Sequence, residues 1–225
     1  VRLGMAGYDA ELGNSVFFEH GQHATSITGA MGSAVAASIA YGLDEKGIAD
    51  ALGITASLAS GIIEANRTGG TVKRLHCGYA AQAGVTAAQL VRRGFTGPPT
   101  VLEGRFGFFQ AWLHGQFFPE AITEGLGTEW SVPGIFFKPY PANHFTHTTV
   151  DAGRAFRERG VRPEDVASVV VGVAGSTVRT IGEPIEVKRT PVTGYQAQFS
   201  GPYAFAAGLF GGGGLGTGLD DYTDT

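Results

Sequence analysis

The chain has 225 residues, enough for one large domain or two small ones, and its 43% hydrophobic and 16% charged residues allow a sizeable core under a sparingly charged surface. A formal net charge of -4 argues against the basic stripe that nucleic acid or an anionic membrane needs, and no run approaches the ~18 apolar residues of a membrane span. One cysteine, Cys77, leaves no internal disulfide and fits a reducing, cytoplasmic setting.

The opening stretch, VRLGMAGYDAELG, lacks a secretion-signal pattern and an initiator Met, so a processed or truncated start is expected. Ser26 to Gly42 is rich in Ala, Gly, Ile and Val, and reads as a helix buried all round, with Thr25 and Ser26 as N-caps and Gly42 as its stop. Asp44 caps a second helix, EKGIADALGI, whose Ile48, Ala51 and Leu52 share a face. TASLASGIIEA continues as a small-residue helix and NRTGGT is a turn. HCGYAAQAGVTAAQLVRRG is a further helix ending at Gly94, with Lys73 and Arg74 just ahead of it. FTGPPTVLEGRFGFFQAWL is a turn followed by a buried aromatic segment. Residues 1–130 therefore read as all-α.

The texture changes near Pro133. IFFKPYP reads as extended chain, THTTVDAGRAFRERGV as an amphipathic helix with Val150, Ala155 and Phe156 inward, and Val169 to Val171 as a strand. An irregular stretch leads to an apolar helix in GPYAFAAGLF, and GGGGLGTGL reads as a flexible linker. Residues 131–225 thus read as a small α+β domain, and the whole chain as mostly α.

Four polar knots carry the candidate chemistry: His20 to Ser26, VKRLHCG, FKPYPANHFTH and AQFSGPY. Lys73 and Arg74 stand at the wrong end of a helix for the macrodipole, and Lys138, between Phe137 and Pro139, must snorkel or meet an anion. Metal ligation is a weak reading: His144 and His147 are three apart, and neither a His-x-x-x-His pair nor a cysteine cluster is present. No Gly-x-Ser-x-Gly elbow supports a serine nucleophile. His, Lys and Tyr remain, residue types suited to moving a proton beside a carboxylate.

In order and spacing, GYDAELG, GQHATSITGAMGSAVAAS, GLDEKGIADALGITASLASG, TVKRLHCGYAAQAGVTAAQLVRRGFTGPPTVLEGRFGFFQAW, FKPYPANHFTH and AQFSGPYAFAAGL resemble the MmgE/PrpD family of 2-methylcitrate dehydratases, cis-aconitate decarboxylases and iminodisuccinate epimerases. The resemblance implies a large all-α domain with a smaller α+β lid and a cleft site that needs no metal, iron–sulfur cluster or organic cofactor. It implies His23, Lys73, Lys138 and Tyr203 as catalytic groups lining a site for a di- or tricarboxylate; Thr25 and Ser26, at a helix N-terminus that offers N–H donors to an anion, are expected as substrate contacts with Arg74, His76 and His147. His23, with an ordinary pKa near ~6.5, exchanges a proton near neutrality, and the lysines stabilise the negative charge that builds up.

Three differences from the family stand out. Its members are roughly twice this length, Ala24 stands where the family has Pro, and Ala142, Asn143 and His144 replace common residues after KPYP. The chain is therefore expected to be an incomplete copy of the family fold. The leading expectation is a cofactor-independent dehydratase of the 2-methylcitrate type. An epimerase or decarboxylase of the same family and a truncated, non-catalytic paralogue are the alternatives. A homodimer is expected, without nucleic-acid or membrane partners.

Overall fold

The computed structural model describes residues 1–212 and 218–222, and the chain divides into two compact units, Val1–Ile63 with Thr71–Pro133 and Glu64–Gly70 with Gly134–Thr225. It is mostly α-helical. The central glycines of the expected linker, residues 213–217, lie outside the described residues. Among the described residues no helix is long and apolar enough to cross a membrane.

The first unit is built on three helices, α1 (Ala24–Ala40), α2 (Glu45–Leu58) and α3 (Val72–Val91). Gly42, at φ 71°, takes the left-handed turn that ends α1, a conformation costly for a residue with a Cβ. Asp44 caps α2, accepting a hydrogen bond from the Gly47 amide at 2.8 Å, a contact worth about 1 kcal/mol. Small residues let α1 and α3 approach closely: a Cβ built on Gly84 would stand 2.5 Å from the Ser33 carbonyl carbon. Under this contact Val16, Phe17, Ile27, Met31, Phe108 and Leu113 form a core in which none is more than 2% exposed.

Four expectations for this half change. α3 begins at Val72, so Lys73 and Arg74 lie in its first turn rather than ahead of it. The small-residue helix stops at Leu58, and the chain beyond it bridges back to Gln22 through Ile62. A short antiparallel hairpin, β1 (Tyr8–Asp9) with β2 (Asn14–Ser15), interrupts the all-α reading; Tyr8 faces Ser15 across it. The aromatic stretch divides: Phe108 and Phe109 are core, in α4 (Phe108–Leu113), whereas Phe106 is exposed.

The second unit holds α5 (His147–Glu158), α6 (Ile185–Arg189) and α7 (Gly201–Phe210). α5 and α7 cross backbone to backbone, since a Cβ on Gly153 would lie 2.8 Å from Leu209 N. Val150 and Ala204 are fully buried beside Tyr140, but Phe156 is half exposed with Arg159 over its ring. Val169 to Val171 form no strand. A β-branched run favours strand only where a neighbouring strand accepts its ladder, and the sole sheet among the described residues is the β1–β2 pair. Val170 is accordingly 96% exposed, and the expected α+β unit is helical among the described residues.

Candidate active site

In the first unit the entry to α1 is strapped by the chain that follows α2. His23 N donates to Gly61 O at 3.0 Å and Ile63 N to Gly21 O at 3.0 Å. Gly61 sits at φ 140° with Ser26 so close that an added Cβ would stand 2.8 Å from the Ser26 Cβ. The strap holds His23 in extended backbone, so His23 rather than Thr25 or Ser26 becomes the N-cap of α1. Ser26 then falls inside the first turn. Its amide donates to His23 O, and its hydroxyl reaches the His76 carbonyl at 3.4 Å. Thr25 is exposed.

The His23 ring makes no capping bond and turns instead to α3. Its Nδ1 lies 2.8 Å from Nδ1 of His76, with ring centroids 4.9 Å apart, and both residues are 6% exposed. Lys73, one turn before His76 on α3, is half-buried; Arg74 beside it is exposed. Burial, then the Lys73 ammonium, then His76 pull the His23 pKa from 6.5 to about 4. Burial and Lys73 lower that of His76 as well. Both rings are therefore neutral at pH 7. Two cations in the first turn of a 20-residue helix oppose its macrodipole, and an anion at that end relieves the conflict.

This burial gives stability a pH dependence. Between pH 6.5 and about 4 the unfolded chain binds a proton at His23 that the folded chain refuses, so stability falls as the pH falls through this window. The loss approaches 2–3 kcal/mol by order of magnitude. Urea midpoints at pH 7 and pH 4.5 check it, and His23→Gln should flatten the difference.

In the second unit the carbonyl of Ala142 is a gathering point. Lys138 Nζ lies 3.5 Å from it and His147 Nε2 3.4 Å. His147 is 5% exposed, and its pKa is lowered chiefly by burial. As donor at Nε2 it keeps Nδ1 bare, which suits the His144 Nδ1 at 3.3 Å. Lys138 itself is exposed, so it snorkels rather than being desolvated. Tyr203 packs against the Ala142, Ala197 and Tyr222 cluster, its hydroxyl donates to the Asp221 carbonyl, and burial followed by Asp221 raises its pKa.

Other groups that support these residues carry weaker sequence signals. Tyr140 donates to Asp151 at 2.5 Å and accepts from Arg154 at 2.8 Å, tying the segment after Lys138 to α5. Asp151 and Arg154, three residues apart on α5, are the trace of this network in the sequence. Ser200 caps α7 by accepting from Tyr203 N and donates to Lys188 O, while the buried Lys188 donates to Phe199 O at 2.9 Å. Nothing in the stretch EVKRT announces that lysine. The structure thus brings His23, Ser26, Lys73 and His76 together in one unit, and Lys138, His147 and Tyr203 around Ala142 in the other. Among the described residues no three His, Cys, Asp or Glu side chains are grouped to hold a metal. A cleft of about 470 Å³ in the first unit, bounded by Gly53, Thr100, Arg105, Phe106 and Trp112, contains none of these groups.

Residues 5–121 match the MmgE/PrpD N-terminal domain and residues 140–225 the MmgE/PrpD C-terminal domain. The chain is 33% identical over 200 residues to the cis-aconitate decarboxylase of Homo sapiens, which spans 85% of this chain and 39% of that protein. It is 32% identical over 157 residues to the Aspergillus terreus cis-aconitate decarboxylase, 67% of this chain and 31% of that one. Over 192 residues it is 30% identical to the Mus musculus enzyme, 84% of this chain and 38% of that one. The chain spans under two fifths of the length of these curated relatives.

Proposed function

Because the chain belongs to the MmgE/PrpD family, we propose that it serves a cofactor-independent lyase acting on a di- or tricarboxylate, with decarboxylation of a cis-aconitate-type acid as its reaction. The observation that carries the reading is the buried, neutral His23–His76 pair beside Lys73 at the positive end of α3. The similarity to cis-aconitate decarboxylases supports decarboxylation over the dehydration expected first.

The chemistry follows from charge. Loss of CO2 breaks a carbon–carbon bond and leaves its electron pair on carbon, where the neighbouring unsaturated carboxylate delocalises it. An ammonium beside that carboxylate stabilises the charge, and Lys73 is such a group, as is Lys138. A proton must then reach the carbon. A neutral histidine pair costs no buried charge in the free protein, and an arriving carboxylate raises the imidazole pKa, since opposite charge favours the charged form. An imidazole poised to hold a proton is thereby available only when substrate is present. Tyr203 and His147 are proposed to position the substrate, with Thr25, Ser26 and Arg74 as further contacts.

Proton NMR in D2O with cis-aconitate, 2-methylcitrate, citrate, malate and iminodisuccinate tests the reading. New vinyl signals with release of CO2 from cis-aconitate are expected. Vinyl signals from 2-methylcitrate alone would restore dehydration, and C–H exchange alone would indicate epimerisation. A folded protein that changes none of the five acids would overturn the lyase. The homodimer remains a proposal, supported in the first unit by the exposed Phe106, Leu126 and Trp130, and light scattering decides it.

A further inference from the structure

We propose that His76 sets the proton on His23: the two rings share one Nδ1 proton, so the pair is a single relay whose two Nε2 atoms are always in opposite states. The use of this relay in turnover rests on the lyase reading; the shared proton does not.

The argument starts from hydrogen-bond inventory. A neutral imidazole carries one N–H and one bare nitrogen. Two nitrogens 2.8 Å apart are hydrogen-bonded, and a bond between like atoms Nδ1 and Nδ1 needs one donor and one acceptor. The donor ring, protonated at Nδ1, is bare at Nε2. The acceptor ring, bare at Nδ1, carries its proton at Nε2. Neither ring is free to choose alone, because two Nδ1–H groups would clash at this distance and two bare Nδ1 atoms would repel. Burial of both rings and the nearby Lys73 ammonium keep positive charge out of the pair. Lys73 and His76, both on α3, are the titratable groups that act on His23; the strap of residues 61–63 adds backbone and isoleucine.

A paired arrangement of this kind does what one histidine cannot. In decarboxylation the nascent carbanion takes the proton from the Nε2–H of one ring. That ring is replenished at Nδ1 by the proton of its partner across the 2.8 Å contact. The partner then takes a proton from water at its own Nε2. One proton enters from solvent, one leaves on the product, and both rings exchange tautomers; the reverse transfer resets the pair, the partner's Nε2 returning its proton to water as the first ring's Nε2 takes one. His76 is therefore a positioning residue for the proton on His23, rather than only a contact to a substrate carboxylate. Its burial and its distance to His23 are what a substrate contact alone would not need.

Two-bond proton–nitrogen correlation spectra of the nitrogen-15-labelled protein at pH 7 read the tautomers directly, with His23→Gln and His76→Gln assigning the two rings among the six histidines. One ring protonated at Nδ1 and the other at Nε2 is expected. Two rings protonated at Nε2, or either ring as imidazolium at pH 7, overturns the proposal. The measurement needs no turnover, so a protein inactive on every acid but showing opposed tautomers would remove the lyase reading and leave the shared proton standing. Where turnover is present, His76→Gln should lower kcat more than it raises KM and move the acid limb of the pH–rate profile upward, because His76, after burial and Lys73, helps depress His23. A folded His76→Gln protein with an unchanged profile overturns the relay.

Discussion

Lys73→Ala is expected to lower kcat/KM for the carboxylate substrate by about a thousandfold, the scale seen when a preorganised donor to developing negative charge is removed. Lys73 is half-buried in the first turn of α3, one turn from His76. Its loss removes the cation that would face a substrate carboxylate. It also removes a cause of the low pKa of both histidines, so the His23 and His76 titrations should move up together. Relief of the unfavourable cation at the positive end of α3 contributes a few tenths to about 1 kcal/mol in favour of the alanine variant. Steady-state kinetics, imidazole titration by NMR and thermal melts together make a signature that general unfolding cannot imitate. Lys138→Ala should likewise depress turnover, without moving His23. Unchanged turnover in both variants would remove the lysines from the site.

The elements that were legible are those with a local signal. Asp44 announces α2 because its carboxylate caps an amide three residues on, and Gly42 announces the end of α1 because only glycine turns there cheaply. The start of α3 carries no such mark. Thr71 makes no capping bond, and the helix runs four residues upstream of the expected start, carrying Lys73 and Arg74 into its first turn. Thr25 and Ser26 have the right chemistry for caps, but the pin from Gly61 to His23 shifts the boundary by two residues. Val169 to Val171 have strand propensity with no described neighbour to pair with. Residue type and family resemblance together point to His23, Lys73 and His76 as candidates. That His23 and His76 touch was illegible, because 53 residues separate them and no periodicity encodes a tertiary approach. The gathering of Lys138 and His147 on one carbonyl was hidden for a related reason: backbone acceptors have no letter in the sequence.

The approach of α1 to α3 sets up the second large effect, a pair of glycine substitutions on one helix with opposite signs. Gly84→Ala places a Cβ 2.5 Å from the Ser33 carbonyl carbon and closer still to Ala34 N. These are backbone atoms of α1, which cannot rotate away as a side chain can, so the helices must separate. Overpacking of this kind costs about 3 kcal/mol, at the upper end of its usual range. Gly78→Ala, six residues earlier on α3, meets nothing within 4 Å. There the added methyl only restricts the unfolded chain and favours helix, and stability should rise by about 0.5–1 kcal/mol. Chemical denaturation of the two variants decides the matter: if both lose stability, or both gain, close backbone packing is not what holds α1 to α3. The consequence reaches the candidate site, because α1 carries His23 at its head and α3 carries His76. A helix pair forced apart at Gly84 stretches the 2.8 Å contact between the rings. Gly84→Ala should therefore return the His23 pKa toward 6.5 in whatever fraction stays folded, whereas Gly78→Ala should leave it low. Small residues in the middle of the helices thus control a proton near their ends, since the distance that defines the histidine pair is set by how closely two backbones can lie.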